Sequence, residues 1–239
     1  MLICLWCVPR SVSTAFEKMM SARGDLLVLG EPYLHAFKNE RGRASENPFG
    51  TECRHREVID QDLLRKAQGT KLFVKEMAYH VVDRLSPSLI ETALHTFLIR
   101  TPRRTIPSLY AMKPAYERFE LGFEAQRALF DRIAQATGRA PLVIDGDDLL
   151  REPDKVVRRY CRAVDLPFHP NQLNWPAGVR SDWIGREAWH ARAITTTGFS
   201  EASVHPHVVP DRVEDDIADS LPHYRYMQTF LARESVDYG

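Results

Sequence analysis

MLICLWCVPRSVSTAFEKMM, residues 1–20, decides how this chain folds. Leu2 to Val8 is an unbroken apolar run of β-favouring residues, the pattern of a central parallel strand covered on both faces. Pro9 stops it. Ala15, Phe16, Met19 and Met20 then recur at helical spacing, so the pentad Arg10-Ser11-Val12-Ser13-Thr14 falls where a strand ends and a helix begins. The first N–H groups of a helix lack intrahelical partners and carry the positive end of its dipole. Arg10 adds a permanent cation whose fork matches phosphate oxygens, and Ser11, Ser13 and Thr14 add hydroxyl donors. The junction reads as an anion site. The competing reading makes Ser11 or Ser13 a helix cap and Arg10 a solvated charge. Neither the two glycines nor the lysine of G-x-x-x-x-G-K-[ST] is present, which disfavours ordinary ATP or GTP hydrolysis.

A chain of 239 residues, 44% hydrophobic and 27% charged, suits one sizeable α/β domain. Lys plus Arg balances Asp plus Glu at 32 each, so no global field recruits nucleic acid or a membrane, and anion binding must be local. The apolar run is too short to span a bilayer and lacks the flanks of a signal peptide, so the expectation is a cytoplasmic protein without an anchor. Cys4, Cys7, Cys53 and Cys161 form no framework of paired spacings. Cys4 and Cys7, three apart in a strand, point to opposite faces and read as buried thiols.

Four more strands follow. Leu26–Leu29 delivers Glu31 at its end, where parallel sheets bind ligands; Glu31 reads either as a base or as an N-cap or salt-bridge partner for Arg10. Residues 36–51 are turn-rich and read as a mobile loop, followed by a helix over 54–68 closed by Gly69. Lys71–Lys75 is the third strand, with Glu76–His80 beginning a helical segment; Lys75 either holds a phosphate or is a snorkelling edge charge. His95–Arg100 is the fourth, and Pro102 opens a helix that carries Ser108, so Arg100 and Ser108 form a second anion clamp unless Arg100, Arg103 and Arg104 are a solvated patch. A long helix fills much of 113–138, and Pro141–Asp145 is the fifth strand. Residues 146–153 read as a turn whose acids cap it rather than bind magnesium, so no metal is expected. A helix follows over 154–164, regularity fades from 167 to 210, and 211–233 reads as a helical pair broken at Pro222.

These motifs resemble the sulfotransferases that use 3′-phosphoadenosine 5′-phosphosulfate (PAPS), especially their bacterial branch. Pro9-Arg10-Ser11-Val12-Ser13-Thr14 is similar to the family's 5′-phosphosulfate loop. Arg100 with Ser108, followed by Tyr110, is similar to its 3′-phosphate motif, and Val143 to Leu150 with Pro153 and Leu166-Pro167-Phe168 to a segment after the last strand. The resemblance implies a single P-loop-like α/β domain, with a mainly parallel sheet of about five strands in a nucleotide-binding core (1–168) and a C-terminal lid with closing helices (169–239). It implies that Arg10, Ser11, Val12, Ser13, Thr14 and Ala15 hold the 5′ end, that Arg100 and Ser108 hold the 3′-phosphate, and that Lys75 lies near the sulfuryl group. Val12 stands where glycine is commonest, so φ is expected to stay negative there. Met77 occupies the place of the histidine base of cytosolic members, which leaves Glu31, with His80 and His35 in reserve.

The implied reaction is metal-independent, in-line sulfuryl transfer to the hydroxyl or amine of a small-molecule acceptor, with 3′-phosphoadenosine 5′-phosphate (PAP) as product. Two other readings stay open. One is a small-molecule kinase with an atypical loop, using Asp145 as its magnesium ligand; the other is a non-catalytic nucleotide sensor of the same fold.

Overall fold

The fold is taken from a computed structural model that describes residues 1–42, 55–180, 183–184, 187–200 and 209–231. Its five strands are β1 (Leu2–Cys7), β2 (Leu27–Gly30), β3 (Leu72–Met77), β4 (Leu94–Ile99) and β5 (Leu142–Asp145), all parallel, in the order β2-β3-β1-β4-β5. The apolar run thus forms the central strand. Leu5 lies opposite Lys75 on one side and Thr96 on the other. A parallel sheet needs cover on both faces, and β1 supplies an apolar side chain to each: Leu2, Cys4 and Trp6 to one core, Ile3, Leu5 and Cys7 to the other.

Helices α1 (Ser13–Ala22), α2 (Leu34–Glu40), α3 (Arg56–Gly69), α4 (Pro87–Thr92), α5 (Pro102–Met112), α6 (Phe123–Thr137), α7 (Gly146–Arg151), α8 (Pro153–Ala163), α9 (Glu187–Thr195) and α10 (Asp211–Gln228) follow in chain order. Phe16, Met19 and Met20 of α1 and Val157, Tyr160 and Cys161 of α8 close one face. Residues of α3 to α6 and α10 close the other. With every strand pointing the same way, the turns after β1, β2, β3 and β4 share one edge, the ligand-binding edge of such sheets.

Several expectations change. Residues Leu34–Glu40 are helical, where a loop was expected from 36, and 43–51 lie outside the described residues, as does Cys53. The strand β3 runs on to Met77, which makes Lys75 interior to the strand. The long helix begins only at Phe123, because Gly122 at φ 79° turns the chain after a 3₁₀ turn at Arg118–Leu121. The expected turn at 146 is helix α7, capped by the Asp145 carboxylate accepting from the Asp147 N–H at 2.7 Å. Residues 167–210 contain α9 and a 3₁₀ turn at Pro170–Leu173. Instead of a helical pair, α10 runs through Pro222, with Val213 and Ile217 before the proline and Tyr224 and Met227 after it buried in one core. Cys4 and Cys7 are buried free thiols on opposite faces, and burial pushes both up.

One core contact is pH-sensitive. The Trp6 indole donates to His95 Nδ1 at 2.9 Å, and His95 Nε2 donates to the Ile90 carbonyl at 3.1 Å, which fixes a neutral imidazole. Burial, ahead of the backbone bonds that oppose it, lowers its pKa to about 4. The unfolded chain, near the ordinary value of about 6.5, binds the proton first, so stability is full above that pH and is lost as pH falls towards 4. Chemical denaturation should show a loss of about 3 kcal/mol across that window, removed in His95→Gln, whose amide can make both hydrogen bonds.

Candidate active site

The anion turn sits between β1 and α1. Arg10 has φ 64° and Val12 has φ 73°, while Ser11 between them stays negative, so the three alternate in hand. Alternation of this kind curls successive N–H groups into a concavity that binds anions. Val12 therefore departs from the negative φ expected of it: the turn needs a left-handed residue directly before Ser13, and a β-branched side chain there is strained. Val12 is the N-cap, and no side chain caps α1. Ser11 is fully buried and its hydroxyl donates to the Val8 carbonyl at 2.7 Å, so it braces the turn and does not line the cavity. Gly146, at the start of α7, backs the turn so closely that a Cβ would stand 2.7 Å from the Ser11 carbonyl oxygen.

A cavity of about 710 Å³ opens over this edge, within the range of small-molecule sites. Arg10, Val12, Ser13, Thr14 and Ala15 line it, as do Arg100 and Ser108. The two expected clamps are contiguous: Arg10 Nε donates to Ser108 Oγ at 2.9 Å, and Arg100 Nη1 donates to the Arg10 carbonyl at 3.1 Å. Arg100 also pairs with Asp147 at 2.9 Å. Burial, then the charges of Arg100 and Arg192, lower the Arg10 pKa, and burial with Arg100 lowers that of Arg192. Three guanidinium groups thus crowd one wall, the condition that a bound polyanion relieves.

On the β2–β3 side, Glu31 and His80 line the cavity and Lys75 does not. Lys75 is buried beneath Glu31, 2.5 Å from its carboxylate and 3.5 Å from that of Glu17. Burial acts to lower its pKa, but the two carboxylates outweigh it and raise it. The lysine therefore reaches the cavity only through Glu31, because β3 continues past it. Glu31, at φ 54°, is a salt-bridge partner, though of Lys75 and not of Arg10. His80 is buried on the other side of β3, its Nδ1 2.7 Å from Glu76 Oε1. Asp145, the acid of the kinase reading, caps α7 and accepts from Tyr224 at 2.8 Å, away from the cavity wall.

A family model described as "Sulfotransferase domain" matches residues 1–231. The chain belongs to the sulfotransferase domain family. Two solved sulfotransferase domains share the fold, each with a TM-score of 0.55: one from the curacin biosynthetic pathway (16% identity, 92% of this chain and 97% of that one) and one from the Synechococcus PCC 7002 olefin synthase (17%, 91% and 93%). Branched-chain-amino-acid aminotransferase-like proteins 2 and 1 of Arabidopsis thaliana are each 27% identical over 96% of this chain. The chain spans 42% of the length of those relatives.

In this sulfotransferase domain Arg192, one of several donors that residues 180–200 offer in sequence for closing over a nucleotide, lines the cavity. It lies on α9, which Lys18 ties to α1 by donating to the Ala193 carbonyl at 2.8 Å, and Arg10 Nη1 reaches the Trp189 carbonyl at 3.4 Å. A short helix in a stretch without periodicity gave only a scatter of donors around it. Because the turn is strained at Val12, Val12→Gly should stabilise the protein by about 1 kcal/mol in urea denaturation. That is the left-handed cost of a β-branched residue less the chain entropy that glycine adds. A destabilised variant would show that the turn is not strained there.

Proposed function

We propose that this sulfotransferase domain transfers a sulfuryl group from PAPS to the hydroxyl or amine of a small-molecule acceptor, with no divalent cation. The observation that carries the reading is the convergence of Arg10, Arg100 and Arg192 on a cavity that also receives the uncapped start of α1. This donor set suits a ligand with several phosphate-like groups: planar forks, backbone N–H groups and the hydroxyls of Ser13, Thr14 and Ser108.

The donor supplies the sulfuryl group and a good leaving group. Ser13, Thr14 and the first turn of α1 would hold its 5′ end, and Arg10 would offset the charge that develops on the departing phosphate. Arg100 and Ser108 would hold the 3′-phosphate. Lys75 acts as a positioning residue, fixing Glu31 at the cavity wall. Guanidinium groups do the charge compensation that magnesium would do in a kinase, and Asp145 is turned into the protein.

Isothermal titration tests the donor. PAP should bind equally well with and without a chelator and at least about 100-fold more tightly than ATP. Arg100→Ala should cost about 10- to 100-fold in PAP affinity and little in AMP affinity, the loss of one charge-assisted contact to a 3′-phosphate. Equal affinity for PAP and AMP in the unmodified protein would contradict the reading.

A further inference from the structure

Helix α1 begins at the anion turn, and its middle grips a second part of the cavity wall. Glu17, Lys18 and Ser21 share one face by helical spacing, and that face meets the chain around α9. Lys18 is 5% exposed and does not line the cavity. Its ammonium donates to the Ala193 carbonyl at 2.8 Å and to the Thr196 carbonyl at 3.4 Å. Arg180 donates to Ser21 Oγ and lies 3.6 Å from the Glu17 carboxylate. Its guanidinium is 5.7 Å from the centroid of the Trp183 ring, which stacks on His190 of α9 at 4.4 Å.

Helix α9 needs such a grip. It has nine residues, a length that is marginal in isolation, and of these only His190 is buried, so apolar packing contributes little. Arg10 reaches its Trp189 carbonyl at 3.4 Å, and the Gly178 N–H takes the Ile194 carbonyl at 2.8 Å. The last carbonyls of a helix lack intrahelical partners and carry the negative end of its dipole, which is where Lys18 brings its charge. The force against α9 is electrostatic. Arg192 lines the cavity and faces Arg10 and Arg100, so like charges push the helix off the wall until an anion lies between them. The half of the cavity after β2 and β3 has no such conflict. Leu34, Phe37, Met77 and Tyr79 line it, Lys113 donates to both oxygens of Glu120 at 2.6 Å, and Glu31 meets Lys75 at 2.5 Å.

We infer that Lys18 is a positioning residue for the nucleotide: by capping the carbonyl end of α9 it holds Arg192 at the cavity wall against the repulsion of Arg10 and Arg100, and so sets how long the nucleotide stays bound. The inference rests on the donor proposed above. One helix then serves the ligand twice. The start of α1 meets the anion with its N–H groups, and Lys18, just over one turn further on, keeps a guanidinium on the far side of the same anion without lining the cavity itself. When that tie opens, Arg192 leaves with α9 and the nucleotide is gripped from one side only, so the effect falls chiefly on release.

Calorimetric and stopped-flow titration of the whole 239-residue chain with PAP tests this. Lys18→Met should weaken PAP binding by about 10-fold or more, mostly through faster release, the loss of a charged hydrogen-bond donor. Arg192→Ala should weaken it at least as much. In the Arg192→Ala background, Lys18→Met should cost less than about 2-fold more, because the loosened helix then has no guanidinium to withdraw. A lysine that merely supports the fold would show no such coupling. If the methionine variant fails to fold, Lys18→Gln, whose neutral amide can still donate to a carbonyl, takes its place in the cycle with the same non-additivity expected. Costs that multiply in the double variant, or a PAP affinity unmoved by the change at Lys18, overturn the inference and leave the donor standing. Failure of the unmodified protein to bind PAP sinks the donor and this inference together.

Discussion

The structure depends on a left-handed backbone turn wedged between a fully buried strand and a helix start. Arg10 and Val12 are held at positive φ from three directions: β1 is locked in the middle of the sheet, the Ser11 hydroxyl is tied back to Val8, and Gly146 closes on the Ser11 carbonyl. Only a residue without a Cβ lets α7 approach that far. The strain at Val12 is thus sustained by packing elsewhere, as expected when a local conformation serves a site. What it achieves is a start of α1 that no side chain caps, with Val12, Ser13, Thr14 and Ala15 on the cavity wall.

From that turn the chemistry divides along the sheet edge. Strand order places Arg10 and Arg100 on the β1–β4 side, where α9, tied to α1, adds Arg192 to make three mutually repelling guanidinium groups, and leaves an apolar, charge-matched wall on the β2–β3 side. Carboxylates on either face of β3 serve the β2–β3 half in different ways. Glu17 and Glu31 pin Lys75 on the α1 face, and Glu76 pins His80 on the other. Adjacent residues of one strand, Lys75 and Glu76, therefore organise different parts of the cavity because a strand sends successive side chains to opposite faces.

Much of this was legible in the sequence, for physical reasons. The run Leu2–Val8 could only be a strand covered on both sides, and a helix had to follow Pro9, so the parallel sheet and the anion turn could be read directly. Arg100 and Ser108 were legible because a strand end and Pro102 fix their placement. Periodicity says where a strand is and little about where it stops, which is why β3 ran past Lys75 and removed that lysine from the cavity wall. Residue type alone suggested that Ser11 would face the ligand, whereas its hydroxyl bends back to Val8. The positive φ at Val12 runs against the preference of its side chain and was the least legible feature. Arg192 and α9 lay in a stretch with no period, and the partnering of His80 by Glu76 depends on a turn geometry that spacing does not specify.

The most direct test is the structure of the complex with 3′-phosphoadenosine 5′-phosphate. The account predicts one phosphate within hydrogen-bond distance of the N–H groups at the start of α1 and the other beside Arg100, with the adenosine spanning the wall between β1 and β4. Phosphates bound over the β2–β3 half, or outside the cavity altogether, would contradict it.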